Sequence, residues 1–119
     1  MSHQFAAGDD LVFQIESGLG LLRILAIDGE GADTVWHLLA YDEFFPDVES
    51  AEKALMRPDV LSVRKGHMAL TDRAFERTPA ARLGNRELAD DELAGYREWL
   101  QSNERKVSDR SALLLLGIR

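Results

Sequence analysis

The stretch that decides the fold runs from Gly8 to Asp47, GDDLVFQIESGLGLLRILAIDGEGADTVWHLLAYDEFFPD. Its first run alternates. Leu11, Phe13 and Ile15 fall on one side and Val12, Gln14 and Glu16 on the other, the period-two signature of a strand. Ser17-Gly18-Leu19-Gly20 breaks the pattern with glycines suited to a tight hairpin. The second run, Leu21 to Ile27, is apolar on both sides apart from Arg23, as expected of a central strand covered on two faces. A polar, glycine-rich connection, Asp28 to Asp33, leads to a third run, Thr34 to Tyr41, although Leu38-Leu39-Ala40 fits a helix equally well. Three antiparallel strands bury too little to stand alone, so further strands must complete a sheet or small barrel.

Working outward, Asp42 to Asp47 reads as the end of the ladder, because Pro46 has no donor and holds Phe45 extended. Asp47 or Ser50 then caps a short helix through Ala54-Leu55, with Glu49 and Glu52 near its positive end. Val60 to Arg64 reads as a fourth strand, Lys65-Gly66 as a turn or bulge, and His67 to Leu70 as a fifth strand, followed by a short run at Ala74 to Arg77. Thr78 to Asn85 reads as a loop closing the β part. From Asp90 the period becomes helical, with Leu93, Tyr96 and Leu100 on one side, acids in the first turn and Arg105-Lys106 at the end. Gly95 inside that helix costs roughly 1 kcal/mol relative to alanine, which a close approach to another backbone would explain. Ser108-Asp109 caps a last helical segment over Leu113 to Ile118, or that run is a terminal strand. The expected class is α+β: a small SH3-like antiparallel β-barrel over residues 8–78 with an inserted short helix, and a C-terminal helical extension over 86–119 packed on it within one domain.

Composition narrows function. The 119 residues contain no cysteine, which excludes disulfides and thiolate chemistry and fits a reducing, cytoplasmic setting. MSHQFAAGDD lacks the basic start and apolar run of a signal peptide, and Ala112 to Leu116 is far shorter than the roughly 20 residues of a membrane span. A soluble protein is expected. The net charge of −7 is unevenly spread: residues 1–56 carry 11 acids against Arg23 and Lys53, whereas residues 57–119 carry 10 acids against 12 bases. A cationic partner suits the front half.

The corner Tyr41-Asp42-Glu43-Phe44-Phe45-Pro46-Asp47, with Trp36 and Glu49 nearby, joins acids to aromatics in the manner of an interface. The candidate partner-binding residues are Trp36, Tyr41, Asp42, Glu43, Phe44, Asp47 and Glu49. Asp42 and Glu43 cannot serve one acid–base site while extended, since successive side chains point to opposite faces. His3, His37 and His67 show no ligand spacing, and no metal, cofactor or nucleophile motif is present. The expected catalytic residues, metals and cofactors are therefore none. The basic group Arg57, Arg64, Lys65, Arg73, Arg77, Arg82 and Arg86 supports an alternative, contact with nucleic acid.

Gly8-Asp9 before a strand holding Phe13, the glycine turn, Arg23-Ile24-Leu25, the Tyr41-Asp42 corner, Pro58 before a strand, His67-Met68-Ala69-Leu70 and Phe75 together resemble the immunity protein 26 family of bacterial polymorphic toxin systems. The resemblance covers residues 8–76. It implies a non-enzymatic inhibitor that binds a toxin, with the acidic front half facing a basic partner.

Overall fold

A computed structural model describes residues 5–118. It shows an α+β protein built on one five-stranded antiparallel sheet. The strands are β1 (Asp9–Ile15), β2 (Gly18–Asp28), β3 (Val35–Phe45), β4 (Val63–Thr71) and β5 (Ala80–Asn85), in the order β4-β3-β2-β1-β5. The first four form a meander, and β5 returns to pair antiparallel with β1. The sheet is not closed. β4 and β5 are its two edges, so the expected barrel gives way to an open sheet.

Closure is unnecessary because helices cover both faces. On the first face, Leu11, Phe13, Leu22, Ile24, Trp36, Leu38 and Leu70 pack beneath Phe75 of α2 (Asp72–Glu76) and Ala112 and Leu116 of α4 (Ala112–Leu116). Trp36 stacks on Phe75 with ring centroids 3.9 Å apart, and its Nε1 donates to Asp72 Oδ1 at 2.9 Å. On the second face, Val12, Leu21, Leu25, Leu39 and Tyr41 pack beneath Ala51 and Leu55 of α1 (Val48–Leu55) and beneath Leu93 and Tyr96 at α3 (Ala94–Gln101). The two-sided apolar run of β2 is thereby explained.

Several boundaries depart from the sequence reading. The hairpin turns at Glu16-Ser17, and Gly18 to Gly20 already belong to β2; Gly20 leaves room for the Phe13 ring, which an added Cβ would meet at 2.4 Å. Pro46 does end β3, but only after Phe44 and Phe45 have paired with Gly20 and Leu19, so the ladder does not stop at Asp42. The separate strands expected at Val60–Arg64 and His67–Leu70 give one strand, β4, which starts only at Val63 because Pro58–Val60 is a 3-10 turn, and register shifts beside Ala40 absorb the Lys65-Gly66 irregularity. Ala74–Arg77 is helical, because Thr71 accepts from Ala74 N and caps α2. Thr78 to Asn85 is no linker, since Ala80–Asn85 is the strand that covers the outer edge of β1. The helix expected from Asp90 begins at Ala94 and ends at Gln101, short of Arg105.

Other readings hold. Asp47 caps α1 through Ser50 N at 2.8 Å. Gly95 meets another backbone: an added Cβ would stand 2.8 Å from His67 Cβ and 3.4 Å from Gly66 O. The last segment is helical, though Ser111 rather than Ser108 is its cap. Ser108 instead lies along the outer edge of β4, its N–H donating to Ala69 O at 2.8 Å.

Candidate functional site

The polar residues that sequence reading scattered along the chain converge on the second face. Arg23, at the centre of β2, is 0 % exposed, and every donor of its guanidinium is used. Nη1 donates to Gly8 O at 2.8 Å and to Asp10 Oδ1 at 3.4 Å; Nη2 donates to Glu87 O at 3.0 Å and Glu92 Oε1 at 3.1 Å; Nε donates to Glu92 Oε2. Asp10, also buried, holds Arg86 by two bonds of 2.6 and 2.7 Å, a bidentate fork. That pairing raises the Arg86 pKa, and Arg86 in turn reaches Tyr41 Oη at 3.3 Å. Burial pushes the Tyr41 phenol up. Burial works against ionising Glu92, but the hydrogen bonds from Arg23 and Ala89 N and the charges of Arg23 and Arg86 together outweigh it and leave the carboxyl below its ordinary range.

Beside this network lies a groove of about 530 Å³. Its floor is apolar, formed by Leu39, Tyr41, Leu61 and Val63, and Asp59, Glu87, Asp91 and Glu92 stand around it with Arg86. Glu92 is tied to Arg23 and Arg86 to Asp10, so the charge free to act on a ligand is negative. Five of the seven exposed large apolar residues among those described fall between positions 44 and 63, and Val60 and Val63 are at this groove's end of the molecule, 56 % and 54 % exposed.

No protein-family model, no curated protein and no solved structure matches this chain.

The residues singled out from sequence do not form one surface. Trp36 is in the first-face core and Tyr41 is buried on the second face, where it lines the groove. The pleat of β3 separates Asp42 from Glu43 as alternation requires. Asp42 pairs with Arg64 at 3.0 Å, whereas Glu43 accepts from Ser62 N at 2.9 and 3.0 Å. Phe44 is partly exposed, Asp47 is the cap of α1, and Glu49 is exposed, 4.0 Å from Lys53. Of the seven, only Tyr41 lines the groove.

Part of the charge asymmetry along the chain is internal. Asp9 binds Arg82 at 3.1 Å, Asp10 binds Arg86 and Asp42 binds Arg64, so acids from the front half meet bases from the back half. Arg73 pairs with Asp109 as well. Four of the seven residues in the basic group, Arg64, Arg73, Arg82 and Arg86, are thus paired with carboxylates.

A second polar chain was missed. His37 is fully buried on β3, and its Nδ1 lies 2.9 Å from His67 Nε2 on β4, with the rings nearly parallel. His37 Nε2 is 3.0 Å from Asp28 Oδ2, at an angle bent away from an ideal hydrogen bond, and Tyr96 Oη donates to the same oxygen at 2.8 Å. Tyr96 and Trp99 of α3 cover the pair, with centroids 4.5 and 4.6 Å from the His37 ring. Burial lowers both histidine pKa values, His67 to about 4, where His37 and Lys65 add to the effect. Burial and then the bond to Asp28 push Tyr96 up to about 12. His37 pairs across with Ala69, two residues from His67, so the register alone would have shown that the two share a face. His3 lies outside the described residues. Among the described residues no cluster has the composition of a metal site.

Proposed function

We propose that this chain is a non-enzymatic protein-binding module that takes a cationic element of its partner into the groove between residues 58–63 and 86–92. The observation that carries this reading is the pairing of an apolar floor, Leu39, Tyr41, Leu61 and Val63, with a rim on which Asp59, Glu87 and Asp91 have no cationic partner among the described residues. A lysine or arginine side chain has the matching form, an aliphatic stem to lie on the floor and a charged head to meet the rim. Exposed Val60, next to the lining residues Asp59 and Leu61, extends the contact beyond the groove. The rigid Arg23–Asp10–Arg86 network behind it fixes the wall, so little ordering is required on binding.

This agrees with the resemblance to the immunity protein 26 family, whose members face a toxin, and the partner in that case is a basic toxin met in the cytoplasm. It shifts the docking surface from the Asp42–Asp47 corner to the groove that Tyr41 lines.

The test is capture from a lysate of the source cell by wild type and by Asp59→Lys/Asp91→Lys, with identification of the captured protein and titration of it against both. A basic protein that binds the wild type and is lost from the variant is the expected result. Equal capture by both, or none by either, removes the groove as the partner site.

A further inference from the structure

A second groove, about 620 Å³, lies at the outer edge of β4, beside Trp99 of α3 and the segment Lys106 to Ser108. His67, Trp99, Lys65 and Lys106 line it. What distinguishes it is the row of polar groups behind His67: His37, hydrogen-bonded to it, and the Asp28 carboxylate 3.0 Å beyond. A lone pair on His37 Nε2 would repel the Asp28 carboxylate, so that nitrogen carries the proton. His37 Nδ1 is therefore an acceptor, and His67 Nε2 must donate to it across 2.9 Å. This leaves His67 Nδ1 as a lone pair, and among the described residues nothing bonds to it. The Asp28 carboxylate thus disposes His67, through His37, to accept at Nδ1, in a groove that Lys65 and Lys106 also line.

We propose that this groove binds a protonated phosphate group, whose O–H donates to His67 Nδ1 while its anionic oxygens face Lys65 and Lys106. The ligand must offer a donor and negative charge together. A carboxylate or sulfate offers only acceptors at neutral pH, and its oxygens would meet the His67 lone pair. Lys65 and Lys106 are exposed and free to turn inward; the pairing of Lys106 with Glu104 at 3.5 Å is at the surface and weak. The other groups around His67 are neutral: His37, Trp99 and Tyr96, whose hydroxyl is turned away to Asp28. With its pKa near 4, His67 keeps its lone pair throughout the neutral range.

The experiment is titration of the intact protein with inorganic phosphate and with sulfate at pH 7, read by Trp99 fluorescence. Trp36, the second of the two tryptophans, is buried on the opposite face and gives a constant background. Phosphate should bind tighter than sulfate by on the order of tenfold, the worth of one hydrogen bond to a charged group. Lys65→Gln/Lys106→Gln, on two exposed positions, should weaken both ions, and His67→Ala should erase the preference. Methyl phosphate run alongside separates the sources, because the tighter of the two phosphates shows whether the group arrives free or as a monoester. Equal affinity for phosphate and sulfate, or no saturable response to either, overturns the proposal without relying on any variant.

Discussion

The two faces of the sheet are held by different physics. The first face is a packed apolar layer, where Leu11, Leu22, Ile24, Leu38 and Leu70 are almost wholly enclosed by one another and by Trp36 and Phe75. The second face has apolar residues at its centre but surrounds them with charge: Arg23, Asp10, Arg86 and Glu92 at one place, Asp28, His37 and His67 at another. Apolar packing is non-directional and tolerates exchange at constant volume, whereas a buried guanidinium demands each of its acceptors. The grooves proposed for partner and phosphate both border the second face. The polar face is the one with chemistry to offer.

The hardest blow to the second face is truncation after Asn85. It removes Glu92 and the carbonyls of Arg86 and Glu87, leaving Arg23 with Gly8 O and Asp10 as its remaining acceptors. The fragment should show no cooperative thermal melt. A cooperative melt would mean that the network is dispensable.

Next in size is Arg23→Met, which strands Glu92 and should cost about 3–5 kcal/mol in urea unfolding, as breaking a buried ion pair does. Adding Glu92→Met removes the stranded charge and should restore a large part of that loss. A first-face change such as Leu38→Ala should cost a comparable 2–5 kcal/mol but show no rescue by a second substitution that removes charge. Additive losses for Arg23 and Glu92 would erase the distinction between the faces.

Acid should loosen the second face before the first. His37 and His67 have folded pKa values below the ordinary 6.5, so the unfolded chain takes up protons first as pH falls. The stability they contribute is complete above pH 6.5 and is lost progressively toward about pH 4. Since His67 is partly exposed, about 1–2 kcal/mol is the expected loss over that window. His37→Asn/His67→Asn should flatten the profile between those pH values, measured by urea midpoints; an unchanged slope would separate the pair from stability. The smallest effect belongs to Asp59→Lys/Asp91→Lys, on exposed positions, which should move stability by no more than about 0.5 kcal/mol while abolishing partner capture.

The first face was largely legible in the sequence, since alternation at Leu11, Phe13 and Ile15 and the two-sided run of β2 depend on local period alone. Gly95 was legible for the same local reason. β5 was not, because Ala80-Ala81-Arg82-Leu83-Gly84-Asn85 has neither β-branched residues nor alternation and becomes a strand only by pairing with β1. The polar assemblies were hidden for a related reason. Arg23 and Glu92 are 69 positions apart and His37 and His67 are 30 apart, and no local pattern records contacts of that span. The acids of the aromatic and acidic corner meet a cap, a backbone N–H and an arginine, and the last two partners, 19 and 22 positions away, were equally hidden.

The pairing of β1 with β5 sets an order of events as the chain is made. β1 is made before its partner strand, and Asp10, although Arg23 lies beside it at 3.4 Å, gains its bidentate partner only with Arg86, 76 positions downstream. Until Arg86 has been made the Asp10 carboxylate has only Arg23 beside it, and the second face cannot take its final form before β5 has paired with β1. Contacts of such separation slow folding to the millisecond-to-second range, and salt, by screening the search of Arg86 for Asp10, should slow it further.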